Sequence, residues 1–349
     1  MKKIVGIFAA AAVLATSVFA ADVSAKVQLE GNLFKYDFDK SMSALDIAKP
    51  SDQAWNPIIA TSVSNDEAGA EFCIYTGNWE AEGGWNKAWA TGATNFKIWM
   101  KPADSIKLIF GHNAFNLNQE HITWSKTDSG VDSKGYSLNY AADGFSIDLG
   151  LLPGWGSGEA WMKKADGGDV EIGTTALKFQ YGADFGTVNA ILVANETFKD
   201  LKFGAGYANN FSGINMFVNV LGYYKEKFNK VRAELYAEGN ADALSWKVFP
   251  VIEFYLDGDP TNPDSKINVP LWARVDYRLD AFGVYVQIED PQGLTKIASD
   301  KNANPWDDGF IAKVGATGNV GGASWDVAAK LHLKEKVQFS LPVVFAMGW

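Results

Sequence analysis

Seven apolar residues at every second position close this chain. Val337, Phe339, Leu341, Val343, Phe345, Met347 and Trp349 alternate with Gln338, Ser340, Pro342, Val344, Ala346 and Gly348, all small or polar except Val344. Successive side chains of a strand leave on opposite faces, so these thirteen residues form one ribbon with an apolar side and a wettable side. Thirteen is long for a soluble strand, but it suits a tilted span of a bilayer core, which takes about 9–11 residues. The last strand of a soluble sandwich would also alternate. The ribbon alone therefore leaves two fold classes open.

Spacing along the rest of the chain decides between them. Strand-like runs recur from AKVQLEGNLFKY, which starts at Ala25, through the hairpin TNFKIWMK–PADS–IKLIFGH and KGYSLNYA–ADG–FSIDLGLL to ASWDVAAKLHL and the closing ribbon. In the first hairpin Phe96, Ile98, Met100, Ile106, Leu108 and Phe110 share one face, and Pro102 presets the turn. Eighteen runs are counted, with sixteen the alternative if two errors compensate. Long connections (37–56, 77–93, 113–133, 153–170, 257–267, 290–307) all fall on one end of the runs. Short turns near 65, 103, 143, 184, 281 and 320 fall on the other. An even strand count, short turns at one rim and long loops at the other are the pattern of a transmembrane β-barrel. Backbone amides in lipid must all be paired internally, so the first and last strands of such a sheet have to meet. The expectation is a single antiparallel transmembrane barrel over 21–349, preceded by a signal peptide at 1–20. That signal has Lys2 and Lys3, an apolar run from Ile4 to Ala15, and a small-residue cleavage site at Val18-Phe19-Ala20.

Composition narrows the function. No later segment reaches the length of an apolar transmembrane helix. Cys73 is the only cysteine, so no internal disulfide forms. The three histidines, His112, His121 and His332, lack the spacing of a zinc site. Net charge is −10, and removal of the signal leaves 29 basic against 41 acidic residues. An acidic chain of this kind does not bind nucleic acid or anionic lipid surfaces.

With the apolar side of every strand turned to lipid, the opposite side is assigned without choice. It carries eleven basic residues (Lys26, Lys97, Lys107, Lys178, Lys202, Arg232, Lys247, Arg274, Arg278, Lys313, Lys330). It also carries nine acidic ones (Glu30, Glu71, Asp148, Glu234, Glu238, Glu253, Asp276, Glu289, Asp326). A Lys or Arg facing lipid at the midplane costs about 2–4 kcal/mol, so these residues must line water or pair across strands. All three arginines, with Glu234, Glu253 and Asp276, are expected to form a charged ladder on one wall. Arginine's fixed, permanently charged fork suits a field across a constriction.

Trp79, Trp85, Trp89, Trp124, Trp155, Trp161 and Trp306 fall in the long connections, as an interfacial girdle or loop packing would place them, or as a sugar-stacking surface. Asp257, Asp259 and Asp264 in DGDPTNPD offer oxygen ligands for calcium, though an acidic loop is the simpler reading. No metal or other cofactor is expected. GWGSG (154–158) lacks the G-x-S-x-G spacing, and no catalytic constellation is assigned.

The signal, the AKVQLEGNLFKY opening, the WMKPADSIKLIFG hairpin and the aromatic end together resemble spirochaete outer-membrane porin-like proteins. That resemblance implies a passive pore for small hydrophilic solutes, sugars among them, in the outer membrane of a diderm bacterium. Porins of this layout fold their third external loop into the bore, which would place Glu120, Trp124, Asp128 and Asp132 at a constriction. They are commonly homotrimers. The aromatic end resembles the closing strand read by the barrel-assembly machinery, which assigns that signal to Phe339, Phe345 and Trp349. The competing reading is a plugged barrel that displays its Trp-rich loops as an adhesin or anchor.

Overall fold

The computed structural model describes residues 22–37, 58–75, 94–118, 130–152, 162–164, 170–172, 174–194, 200–225, 227–256, 266–290, 310–333 and 337–348. Strands succeed one another as hairpins. They run β1 (Asp22–Asp37), β2 (Ile58–Ser64), β3 (Ala68–Tyr75), β4 (Thr94–Ala103), β5 (Ile106–Asn116), β6 (Gly130–Ala142) and β7 (Phe145–Leu152). Two three-residue strands, β8 (Met162–Lys164) and β9 (Val170–Ile172), pair only with each other. The wall resumes with β10 (Thr174–Ala183), β11 (Gly186–Ala194), β12 (Asp200–Phe211), β13 (Ile214–Lys225), β14 (Lys227–Ala241) and β15 (Leu244–Tyr255). It finishes with β16 (Ile267–Asn268), β17 (Leu271–Arg278), β18 (Gly283–Asp290), β19 (Phe310–Val320), β20 (Ala323–Leu333) and β21 (Gln338–Gly348).

Every pairing is antiparallel, and β21 pairs with β1 from Lys26↔Gly348 to Asp37↔Gln338, so the sheet closes on itself. Both β16 and β17 pair with β15 and act as one interrupted strand, which makes an eighteen-stranded wall. Pro270 lies at the interruption. It has no N–H to give the ladder, yet its carbonyl still accepts from Val251 N at 2.9 Å. The tight turns use backbone that suits the twist of a two-residue hairpin. Asp143 (φ 49°) and Gly144 (φ 81°) form one such turn, and Ser212 and Gly213 form another with the same pattern.

Alternation assigns the faces. Ile98, Met100, Tyr136, Leu138, Leu177, Phe179, Val220, Ile252, Val275, Val286, Val314, Phe345 and Met347 are large, apolar and exposed on the outside. An exposed apolar band running round the sheet is far larger than the patches that soluble monomers tolerate, and lipid is the solvent that matches it. The inward phase carries Lys97, Lys107, Arg232, Glu234, Lys247, Glu253, Arg274, Asp276, Glu289 and Lys313, while the Glu30 side chain lies outside the description. Its surprise is apolar. Phe217, Tyr236, Phe249, Val251 and Trp272 form a buried cluster on the inner face of β13–β17, with the Phe217 and Tyr236 rings stacked 5.1 Å apart. The middle of β15, residues 248–252, signals this in sequence, since five consecutive apolar residues leave both faces apolar there, as in a doubly buried strand.

Candidate functional site

The inner wall divides into a filled part and an open part. In the filled part, β5 continues beyond its last pairing with β4 at Gly111 while staying paired with β6 as far as Asn116. The Phe115 ring packs on Leu152, Ala176 and Val193, beneath Gly150, where any Cβ would strike it. Leu117 packs on Ile191 and Leu221. Asn118 is clamped: its Oδ1 accepts from Asn189 Nδ2 at 2.7 Å and its Nδ2 donates to Asn219 Oδ1 at 3.1 Å. Its carbonyl also accepts from Asn219 Nδ2 at 2.8 Å. On β12, Gly204 and Gly206 leave the space that Leu117 and Asn118 occupy. The start of the third long connection is thus seated on the inner wall. Glu120, Trp124 and Asp128 lie outside the described residues. Asp132 is on β6 opposite Ala114, and its side chain is likewise outside the description.

The asparagine clamp runs directly into buried charge. Asn219 Nδ2 also donates to Glu234 Oε2 at 2.9 Å, and Glu234 Oε1 accepts from Arg232 Nε at 2.7 Å. Arg232 Nη1 reaches Glu253 Oε1 at 2.8 Å, and Lys230 Nζ reaches the same oxygen at 3.1 Å. The other oxygen of Glu253 accepts from Tyr255 and Asn268. Arg232 is 8%, Glu234 1% and Glu253 6% exposed. Charges so deeply buried persist only when their hydrogen-bonding capacity is met, and here donors and acceptors match.

The expected single ladder of arginines is not what forms. Arg232 pairs in register with Glu253, whereas Arg274 pairs with Lys247, six positions away on β15. At about 3.4 Å per residue that is roughly 20 Å along the strand. Stagger between strands, which spacing in the sequence does not show, separates the two. Arg274 instead grips Asp276 through Nε and Nη2 at 2.6–2.9 Å, with its guanidinium 3.7 Å from the centre of the Tyr285 ring. Tyr285 in turn donates to Asp326 at 2.8 Å. Lys313 pairs with Glu289 at 2.6 Å, and Gln287 donates to that carboxylate as well. Arg278 is exposed at the short-turn rim.

Two cavities open along the inner wall. One of about 940 Å³ is lined by Lys247, Arg274, Asp276, Arg278, Gln287 and Asp326, among others. The other, of about 930 Å³, is lined by Lys26, Glu71, Lys97, Trp99, Lys107 and His112, among others. They share Asn319 and Ser324 and so adjoin. In the second, Lys97 meets Glu71 at 3.3 Å and the Lys107 amine lies 4.2 Å above the Trp99 ring. Sequence reasoning placed Lys97 and Lys107 in this lining. It missed Trp99, whose odd position in TNFKIWMK marks it as inward.

Of the aromatic end, Phe345 is exposed on the outer face, Phe339 is half-buried and Trp349 lies outside the described residues. The seven tryptophans of the long connections, the DGDPTNPD acids and GWGSG also lie outside them. Among the described residues, no group of three or more His, Cys, Asp or Glu is placed to hold a metal ion.

No protein-family model matches the chain, and no curated protein is similar to it in sequence. Solved structures are similar in fold. Pseudomonas aeruginosa OccK3 (OpdO) superposes with a TM-score of 0.56 at 10% identity, over 94% of this chain and 95% of that one. A double mutant of OccD1 (OprD) gives 0.52 at 12% identity, over 94% and 95%. A triple mutant of the Rh. blastica porin gives 0.50 at 11%, over 94% and 100%. At these identities the likeness is one of fold: a large, closed, antiparallel barrel.

Proposed function

We propose that this chain is an outer-membrane channel through which small hydrophilic solutes diffuse passively. The observation that carries the reading is the pair of adjoining polar cavities, about 940 and 930 Å³, inside an eighteen-stranded wall whose outer face is apolar. Barrels of 16–18 strands are wide enough for an aqueous bore. Solutes would pass beside Arg274, Asp276, Arg278, Lys97 and Lys107, while Arg232, Glu234 and Glu253 brace the wall that the third loop rests on. Seating of Phe115–Asn118 supports the idea that the rest of that loop, with Glu120, Trp124, Asp128 and Asp132, narrows the passage. Nothing in this scheme requires a chemical step or a cofactor. Sugars fall within the solute class, and the mixed charge of the first cavity is compatible with them.

The narrower likeness to spirochaete porin-like proteins rests on sequence alone, since the similar structures named above come from other bacteria. Export by residues 1–20, recognition of Phe339, Phe345 and Trp349 by the assembly machinery, and trimer formation belong to the same proposal. A second reading draws on the buried inner cluster of Phe217, Tyr236, Phe249, Val251 and Trp272: a barrel partly filled from within is also the form of a plugged anchor or adhesin. Conductance of the purified protein in a planar bilayer separates the two. Steady open steps are the expected result, and a correctly folded but silent barrel would replace the channel with the anchor.

A further inference from the structure

We infer that the cavity lined by β1–β5 and by the adjoining ends of β19–β21 is a station for small oxyanions, carboxylate or phosphate, and gives the pore a preference for anions. The inference rests on the channel reading above. The charged residues lining this cavity are Lys26, Lys97, Lys107 and Glu71, three cations to one carboxylate, with His112 beside them. Glu71 is engaged by Lys97 at 3.3 Å. Lys26 and Lys107 have no carboxylate within ion-pair distance among the described residues. Lys107 instead lies 4.2 Å over the Trp99 ring, and the Lys101 amine is 5.7 Å from the ring centre.

The rest of the wall is different. Lys230 and Arg232 meet Glu234 and Glu253, Lys247 meets Glu238, Arg274 meets Asp276 and Lys313 meets Glu289. The neighbouring cavity holds three cations and three carboxylates, Lys247, Arg274 and Arg278 against Asp276, Asp280 and Asp326. Of the two adjoining cavities, only the one that holds Lys26, Lys97 and Lys107 carries an excess of positive charge. A field decays over about 8 Å at physiological ionic strength, so the balance of charge on the cavity's own lining dominates what a solute there experiences.

Each element of the cavity has a use for an oxyanion. Two lysine amines supply point charges and several donors each. Ser24 and Ser62, hydrogen-bonded to each other at 2.8 Å across β1 and β2, add hydroxyls on the same lining. Trp99 gives a flat apolar floor for the uncharged part of a solute, and Gly69 beneath it leaves room for the ring.

The test is the reversal potential of single channels under a potassium chloride gradient, followed by titration with sodium acetate and inorganic phosphate. Wild type is expected to favour chloride over potassium by about threefold, and both oxyanions are expected to lower the chloride current at millimolar concentration. In Lys26→Gln/Lys107→Gln the preference falls towards unity and the block disappears. In Lys26→Glu/Lys107→Glu it inverts, whereas Lys107→Arg keeps it. A block by phosphate without one by acetate assigns the station to phosphate, and the converse assigns it to carboxylates. Open channels that favour potassium in wild type, or a glutamine variant with wild-type selectivity and conductance, overturn the inference and leave the channel standing. Absence of current from wild type removes the channel itself.

Discussion

Arg232 and Lys107 point into the same barrel, but one is sealed and the other faces open space. Around Arg232, from β13 to β17, inward side chains are packed: carboxylates meet cations, asparagines meet each other and an aromatic cluster fills the gaps. Around Lys107, from β1 to β5, lysines outnumber carboxylates and the lining borders a cavity of about 930 Å³. Burial explains the contrast. An ion out of water needs a partner for each of its hydrogen-bonding positions, while a hydrated ion needs none. The packed side can therefore serve as a brace and the open side as a source of field, because only the second keeps charge that is not already spent.

The comparison is broken most readily at Arg232. Arg232→Ala strands Glu234 and Glu253 in a buried site and is expected to cost about 3–5 kcal/mol, read as earlier urea unfolding in lipid vesicles by tryptophan fluorescence. A loss no larger than that of Lys107→Ala would erase the distinction between the two sides. Val286→Arg tests the outer solvent instead. This side chain is 55% exposed on the outside, and a cation there is expected to cost about 2–4 kcal/mol near the midplane by the same assay. An unchanged midpoint would mean that the face does not meet lipid.

Gly206→Val sharpens the comparison from the packed side. Its side chain would enter the space of Asn118, Asn189 and Asn219, with an expected loss of about 1–3 kcal/mol and a larger single-channel conductance as the third loop lifts. The smallest effect is expected from Lys97→Ala. The Lys97–Glu71 pair is half exposed, so stability should change by less than about 1 kcal/mol while bilayer selectivity shifts.

Residues that separate two solvents were legible in the sequence. All eighteen runs of alternating residues correspond to strands of the wall, because each strand has lipid on one face and the bore on the other. Met162–Lys164 was missed inside a long connection, since three residues are too few to show a period, and Glu171 and Ile172 of the strand it pairs with were read as the start of the next wall strand. The break at Pro270 was readable from proline's missing donor and was passed over within a single run. Phe249 and Val251 were assigned no role, although a run that is apolar on both faces already signals burial from both sides. Asn118 left no trace: its partner Asn219 is 101 positions away, and only the closed circle brings them together. The arginine ladder failed for a related reason, because residue spacing gives the face of a strand but not its height relative to the next one.

The seam between β1 and β21 has a consequence for how such a chain is made. Lengthening a loop costs only about 0.6 kcal/mol per doubling, so the wide sequence separation of the two partners is a matter of timing more than of equilibrium. Until the final ribbon docks, the earliest strand keeps a row of bare amides that any passing strand is able to capture. The cylinder travels unzipped, and whatever escorts it must guard its first-made edge until its last-made edge arrives.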